Sequence, residues 1–243
     1  MEFIRLGYPD ASLHEASAAA VARVLEAHEL EVEYVPLAQP GDMEVERVDL
    51  FAAAWLPLTD ASLLASGGMQ PLGLLYRPAF IWGIAADAPQ SIADLADAPA
   101  LERRILVLPG PIATLAGQVL KAYGLAAAGY VVEQVAEQEA LAWAEAADPL
   151  RIVPLCRPHH LLHASRLRAL EDPLGALGAE QEARLLIRRG LRETLDSDLL
   201  DELEALTLGN RVVSAMAHTM RIEGMSAEAA ADAWQRGKLT PRA

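Results

Sequence analysis

The stretch FIRLGYPDASLHEASAAAVARVLEAHELEVEYV, residues 3–35, decides the fold. Residues 3–6 form a short, mostly apolar run, and residues 12–28 carry apolar side chains at helical spacing. Residues 31–35 then alternate between acidic and apolar side chains, which is typical of a half-buried strand. A strand, a helix and a second strand in this order predict a βαβ unit, with parallel strands and a right-handed crossover.

The α/β pattern starts again in the middle of the chain, where a strand at Ile105 leads into a Pro-Gly-Pro turn. The remaining strands are predicted over 48–55, 74–85 with a break near Pro78, 130–135 and 152–155. The remaining helices are predicted over 113–123, 137–147, 199–206, 212–222 and 227–236, the last three forming a helical tail after Pro173. Two α/β units with a helical tail predict an α/β fold of two lobes.

Two predicted helices begin at a serine. Ser91 is followed three residues later by Asp94, which resembles a capping box. Ser226 precedes the last predicted helix and is typical of an N-cap. These signals fix where the two helices begin.

Composition and charge exclude some function classes. The chain has 243 residues, enough for two small lobes, and a formal net charge of −14. A strongly acidic surface argues against nucleic acid as a partner and weakly attracts cations. The single cysteine, Cys156, excludes an intrachain disulfide.

The sequence gives two expectations about cellular location. No apolar run approaches the roughly 20 residues of a membrane-spanning helix. The N-terminus has neither a basic region nor an apolar core typical of a signal peptide. If a signal peptide was removed before Met1, the protein is periplasmic or extracytoplasmic, whereas a natural start at Met1 implies the cytoplasm.

The sequence lacks residues that the motifs of nucleotide and metal sites require. Gly110 is followed by Leu115 where a phosphate-binding loop needs its second glycine, and no G-x-G-x-x-G follows the first strand. His159 and His163 have a zinc-like spacing, but His160 stands where the H-E-x-x-H motif requires glutamate. We therefore predict no metal, no cofactor and no catalytic residue.

Polar or aromatic groups follow three predicted strands where each strand ends. These are the segments 7–10, 55–60 and the histidine-rich turn after 152–155. In open α/β sheets, ligands bind in the crevice outside the carboxyl ends of the strands. The pattern therefore predicts one ligand crevice that is lined from all three places.

Several motifs resemble, in order, those of glycine betaine-type binding proteins of ABC importers. AWLPLTD at 54–60 looks like their A-W-L-P-x-T-H segment, and CRPHHLL at 156–162 is similar to W-x-P-H-W-x-F. The further matching segments are LGLLY at 72–76, SIADL at 91–95, LEDP at 170–173 and EGMSAEAAADAW at 223–234. Together they span nearly the whole chain.

This resemblance implies a two-lobed periplasmic-binding-protein-like (type II) fold with a ligand cleft between the lobes. Lobe 1 would hold residues 1–85 and 165–243, and lobe 2 residues 86–164. The implied function is capture of a small polar or cationic solute for ABC permease subunits, without covalent chemistry.

The resemblance also implies an aromatic box for a quaternary ammonium. Such a cation has no hydrogen-bond donor, so ring faces hold it best, at roughly 0.5–2 kcal/mol each. Trp55 matches a box tryptophan and His159 the motif histidine that helps to hold the ligand carboxylate. Cys156 and His160 replace aromatic residues of the family, and Asp60 replaces a histidine. The specificity is therefore expected to be altered.

The altered positions suggest a different cation partner. Asp60 or Asp10 would pair with a cation that bears hydrogen-bond donors, and Tyr8 or Tyr76 would restore a ring. The predicted ligand-binding residues are Tyr8, Pro9, Asp10, Trp55, Asp60, Cys156, His159 and His160.

Two other functions stay open from the sequence. One is a cytosolic small-molecule sensor of the same fold. The other is a cleft enzyme in which Cys156 is the nucleophile and His159 or His160 the base, although no nucleophile-elbow motif surrounds Cys156.

Overall fold

A computed structural model describes residues 3–38, 47–65 and 67–239. The chain divides into two compact units, a terminal unit of Met1–Pro78 with Gln181–Ala243 and a central unit of Ala79–Glu180. The divisions therefore lie at 78/79 and 180/181, whereas the sequence placed them at 85/86 and 164/165. Strand pairing keeps these segments in the central unit, because residues 79–83 pair with 153–157 and residues 83–84 pair with 168–169.

The terminal unit contains a five-stranded sheet and helices. Its strands are β1 Phe3–Pro9, β2 Glu31–Leu37, β3 Leu50–Leu56, β4 Met69–Tyr76 and β10 Glu182–Arg188. Its helices are α1 Ser12–Ala27, α2 Ser62–Ala65, α6 Arg189–Arg192, α7 Ser197–Ala205, α8 Gly209–Glu223 and α9 Ala227–Gln235. The strand order is β2-β1-β3-β10-β4. The sheet is mixed, because β2, β1 and β3 pair in parallel while β10 pairs antiparallel with its neighbours.

The predicted opening βαβ unit is confirmed. β1 pairs with β2 in parallel, with Leu6 opposite Tyr34, and β3 adds in parallel on the other side of β1. Because β1 and β3 are parallel, their carboxyl ends lie at the same edge of the terminal sheet.

The three helices of the tail form within three residues of their predicted bounds. The Ser226 side chain accepts a hydrogen bond from the Ala229 N–H, as the predicted N-cap.

The prediction that the chain becomes helical after Pro173 was wrong for one segment. Residues 182–188 form β10, which pairs antiparallel with both β3 and β4. The run Leu185–Ile187 is fully buried, so it shows neither the alternation of a half-buried strand nor a helical stripe. Pairing on both sides decides its conformation.

An ion network around the buried Asp49 joins three strands of the terminal sheet. Asp49, just before β3, accepts from Arg5 of β1 through both oxygens, at 3.0 and 3.2 Å, and from Arg188 of β10 at 2.6 Å. Burial raises the pKa of Asp49, but the hydrogen bonds from both arginines outweigh burial and lower it. This network ties the middle of the sheet together.

The central unit contains two small sheets. Its strands are β5 Ala79–Ile84, β6 Arg104–Val107, β7 Val131–Gln134, β8 Val153–Arg157 and β9 Arg168–Ala169. Its helices are a 3₁₀ helix Ile92–Asp97, α3 Pro111–Ala122, α4 Glu137–Ala146 and α5 His160–His163. β6 and β7 are parallel and flank α3 in sequence, which confirms the second βαβ unit, while β5 pairs antiparallel with β8 and β9.

One local prediction for the central unit is confirmed, because Ser91 and Asp94 form the predicted capping box at the 3₁₀ helix. Trp143 lies in an apolar cluster, and its indole N–H donates to the Ile152 carbonyl at 3.2 Å. Trp82 is buried in a second apolar cluster of the same unit. Among the described residues, no helix is long and apolar enough to cross a membrane.

Candidate functional site

Trp55 owes its orientation to an irregularity in β3. Phe51 pairs with Leu186 and Ala54 pairs with Arg184. Between these two pairs β3 has two residues, whereas β10 has only one. The extra residue is a β-bulge, and Ala53 within it has a positive φ of 61°. In a regular strand Trp55 would share the face of Phe51. The bulge instead turns Trp55 towards α1, where it meets His14.

Three contacts hold Trp55 in place. Its backbone N–H donates to Oδ2 of Asp60 at 2.7 Å, and its indole N–H donates to the Tyr76 hydroxyl at 3.1 Å. Its ring lies 5.3 Å from the His14 ring, centre to centre, at a tilt of 44°. Only 8% of Trp55 is exposed. The side chain is thus fixed at the carboxyl end of β3, where the sequence placed a ligand contact.

Asp60 closes the turn that follows β3. Its backbone N–H donates to the Trp55 carbonyl at 2.9 Å, so the two residues are joined in both directions. Thr59 is held as well, because its N–H and hydroxyl both donate to Oε1 of the buried Gln181. Burial raises the pKa of Asp60, and the hydrogen bond from Trp55 opposes that rise. Asp60 is therefore a buried carboxylate beside a tryptophan.

The end of β1 supplies the second group of predicted residues. Tyr8 and Pro9 are the last residues of β1, and the exposed Asp10 follows them. The Tyr8 ring meets the Tyr34 ring edge to face, with centres 6.2 Å apart. Because β1 and β3 are parallel neighbours, this group and Trp55 lie at the same edge of the terminal sheet.

Carboxylates surround the two tyrosines. Burial raises the pKa of Tyr34 to about 12, and the negative charges of Glu228 and Glu26 add to this effect. Burial also raises the pKa of Tyr8, again with contributions from Glu15 and Asp10. The positive charge of Arg23 opposes this effect at Tyr34, but the negative charges are more numerous, so we expect the electrostatic field at this edge to favour a cation.

Cys156 lies near the end of β8 in the central unit. Burial raises the pKa of its thiol to about 12. A nucleophilic cysteine needs a lowered pKa, because the thiolate is the reactive form. The electrostatics of this site therefore argue against the enzyme alternative.

Three histidines of the central unit lie at the short helix α5, and one of them is its N-cap. His159 precedes α5, and its Nδ1 accepts from the Leu161 N–H at 3.2 Å. The rings of His159 and His160 are stacked with centres 4.4 Å apart, and His160 is 7% exposed. Among the described residues, no group of three or more histidine, cysteine or acidic side chains is placed to hold a metal ion.

The eight predicted residues divide between the units. Five of them, Tyr8, Pro9, Asp10, Trp55 and Asp60, lie in the terminal unit, and Cys156, His159 and His160 lie in the central unit. Their contact with ligand, and the predicted cleft, stay predictions.

Sequence reasoning missed His14 and Tyr34 as neighbours of the predicted residues. His14 lies in the first turn of α1, and Tyr34 lies on the same face of the sheet as Tyr8. The βαβ register would have found Tyr34, because Leu6 pairs with it and side chains alternate along a strand. His14 faces Trp55 only because of the bulge, which the run of alanines before Trp55 does not signal.

Comparison with known proteins gives one family. The model of the substrate binding domain of the ABC-type glycine betaine transport system matches residues 2–236. No curated protein sequence matches the chain significantly.

Solved structures share the fold. Lactococcal OpuAC in its closed-liganded conformation with glycine betaine aligns with a TM-score of 0.76 and 18% identity, covering 98% of this chain and 96% of that chain. ProX, the glycine betaine/L-proline-binding protein from Borrelia burgdorferi, aligns with a TM-score of 0.71 and 18% identity, covering 94% and 91%. A choline-binding protein of an ABC transporter, in complex with choline, aligns with a TM-score of 0.68 and 17% identity, covering 96% and 88%.

These likenesses confirm the two-lobed periplasmic-binding-protein-like α/β fold. Because the family model covers nearly all of its residues, this chain belongs to the family of substrate-binding domains of ABC-type glycine betaine transport systems.

Proposed function

We propose that this chain captures a small cationic or zwitterionic solute, betaine-like or choline-like but with altered specificity, and does so extracytoplasmically. As a member of its family, it delivers the solute to the permease subunits of an ABC importer. The single observation that carries the ligand class is the frame around Trp55, which fixes an aromatic ring beside a buried carboxylate.

A fixed ring is a good receptor for a cation. Its face attracts positive charge by roughly 0.5–2 kcal/mol, and the gain is greatest when water is excluded. The side chain of Trp55 loses little conformational entropy on binding, because Tyr76 and His14 already hold its ring. The net charge of −14 and the carboxylates at the end of β1 add a field of the right sign.

The altered specificity is proposed from the positions that depart from the family pattern. Asp60 brings a negative charge where the family motif has histidine, and Cys156 and His160 replace rings. Tyr8, Pro9 and Asp10 are proposed as further ligand contacts of the terminal unit. Cys156, His159 and His160 are proposed as those of the central unit.

Thermal-shift screening and calorimetry test the ligand class. The panel contains glycine betaine, choline, carnitine, trimethylamine oxide, polyamines and basic amino acids. A ligand that binds only the native state adds RT ln(1 + [L]/Kd) to its stability, about 2.7 kcal/mol at 100 times Kd. We expect at least one member to raise Tm, and a flat response to the whole panel contradicts the proposal.

The Trp55→Leu variant tests whether the Trp55 ring binds the cation. Loss of one ring face is expected to weaken cation binding about 10-fold, within the range that cation–π energies imply. Trp234→Leu is the matched control, because Trp234 lies partly buried on α9, outside the predicted site. Ligand-induced change in tryptophan fluorescence should vanish in the first variant and persist in the second. Equal affinities in wild type and Trp55→Leu would remove Trp55 from the site.

A further inference from the structure

His14 is a neighbour of the Trp55 ring that none of the motifs includes. It lies in the first turn of α1, and part of the residue reaches the surface. The Ala53 carbonyl, inside the β3 bulge, accepts a hydrogen bond from the imidazole. The bulge therefore places both Trp55 and the partner of His14.

The other nitrogen of His14 lacks a partner. Nδ1 is buried and makes no hydrogen bond to any described residue. In the tautomer that carries the proton of the neutral ring on Nε2, Nδ1 is a lone-pair acceptor. Burial lowers the pKa of His14 to about 4, so the ring is neutral near pH 7. A buried acceptor without a hydrogen bond costs free energy, and a ligand that donates a hydrogen bond to it removes this cost.

We propose that His14 is a specificity-determining residue whose Nδ1 accepts a hydrogen bond from the cationic head of the ligand, so that the protein prefers a donor-bearing ammonium over a fully methylated one. This inference rests on the proposed function, because it places the cationic head at Trp55. A quaternary ammonium fills the space beside the ring but leaves Nδ1 unpaired. An ammonium with one N–H satisfies Nδ1 while keeping its charge near the ring and Asp60.

Matched ligand pairs test this preference by calorimetry at pH 7. Choline is compared with N,N-dimethylethanolamine, and glycine betaine with N,N-dimethylglycine, since each pair exchanges one methyl group for an N–H. In wild type, the donor-bearing member should bind about 10-fold more tightly in at least one pair, which corresponds to about 1.4 kcal/mol.

Two variants separate the acceptor from the ring. His14→Phe keeps a ring against Trp55 but removes Nδ1, so the preference should fall below about twofold. His14→Asn offers an amide oxygen at the place of Nδ1 and should restore part of the preference. Circular dichroism checks that both variants fold.

The outcomes distinguish the two proposals. If wild type binds a pair, Trp55→Leu weakens both members and His14→Phe leaves their ratio unchanged, this inference is overturned and the proposed function stands. A wild type that prefers the methylated member overturns it too. If wild type binds no member of the wider panel, the proposed function fails and the inference fails with it.

Nuclear magnetic resonance of the wild type gives a readout that needs no variant. The Nδ1 resonance of His14, assigned through the backbone, should shift to lower frequency on addition of N,N-dimethylethanolamine and remain in place with choline. An Nδ1 resonance that responds equally to both ligands overturns the proposal even if His14→Phe does not fold.

Discussion

At the scale of single residues, Asp60 combines a proposed role in cation binding with a structural role, and the sequence cannot separate the two. The family pattern marks it as an unusual charge in a ligand-binding segment, which led to the prediction that it pairs with a cation. The structure adds a structural contact, because Oδ2 holds the Trp55 N–H at 2.7 Å. The proposed pairing with a cation needs the charge of Asp60, whereas the hydrogen bond from Trp55 needs only an acceptor atom.

Asp60→Asn separates these roles, because asparagine keeps an acceptor for the Trp55 N–H and loses the charge. If Asp60 pairs with the ligand, cation affinity should fall about 10-fold, as for a hydrogen bond to a charged group. Asp60→Ala should also destabilise the fold by about 1–3 kcal/mol, because it leaves the Trp55 N–H unpaired in a buried site. Calorimetry and urea unfolding measure the two effects.

The control for charge removal is Asp97→Asn on the exposed surface of the central unit. It should leave cation affinity unchanged. If Asp60→Asn also binds the cation like wild type, Asp60 serves only to hold the turn after β3.

At the scale of elements, most helices and strands could be predicted because their apolar periodicity is regular. α1 and the parallel pair of β1 and β2 follow from residues 3–35 alone. β10 could not be predicted, because its central residues are buried on both faces and its pairing partners are distant in sequence. The bulge in β3 was equally hidden, since Ala52, Ala53 and Ala54 are identical in chemistry and differ only in conformation.

Substitution of two neighbouring alanines that differ in backbone conformation tests the bulge in β3. Ala52 and Ala53 are both fully buried, but only Ala53 has a positive φ. Ala52→Gly should cost about 1 kcal/mol, because glycine weakens a regular strand. Ala53→Gly should cost less or stabilise, because glycine adopts a φ of 61° without strain.

Urea unfolding of the two variants measures this difference. A third variant, Ala53→Val, should destabilise by about 2–3 kcal/mol, since a β-branched residue combines strain at positive φ with overpacking. Equal losses in Ala52→Gly and Ala53→Gly would mean that Ala53 does not carry the irregularity that orients Trp55.

At the scale of the whole molecule, the free energy of unfolding in acid depends on titratable groups whose burial and contacts cannot be predicted from the sequence. His14 has its pKa lowered from 6.5 to about 4 by burial. Asp49 has a lowered pKa as well, so its contribution is present above pH 3.8 and is lost only below that value. Between pH 6.5 and 4, the acid sensitivity of the fold is therefore expected to come from His14 rather than from the ion network.

The sign of the His14 effect follows from proton linkage. Below pH 6.5 the unfolded chain takes up a proton on His14 and the native state does not, so the free energy of unfolding falls until about pH 4. A shift of this size corresponds to a loss of about 3 kcal/mol. Glu15 and Asp60 oppose this loss near pH 4, because burial raises their pKa and the native state then holds their protons more tightly.

The measurement is therefore the difference between wild type and His14→Phe across this range, by urea unfolding at pH 7, 6, 5 and 4. Both proteins share Glu15 and Asp60, so their contributions cancel, and the variant should lose less stability than wild type by up to about 3 kcal/mol. Parallel curves would show that His14 titrates normally in the native state. Its ring would then carry a positive charge below pH 6.5, and the neutral acceptor beside Trp55 would be lost over that acidic range.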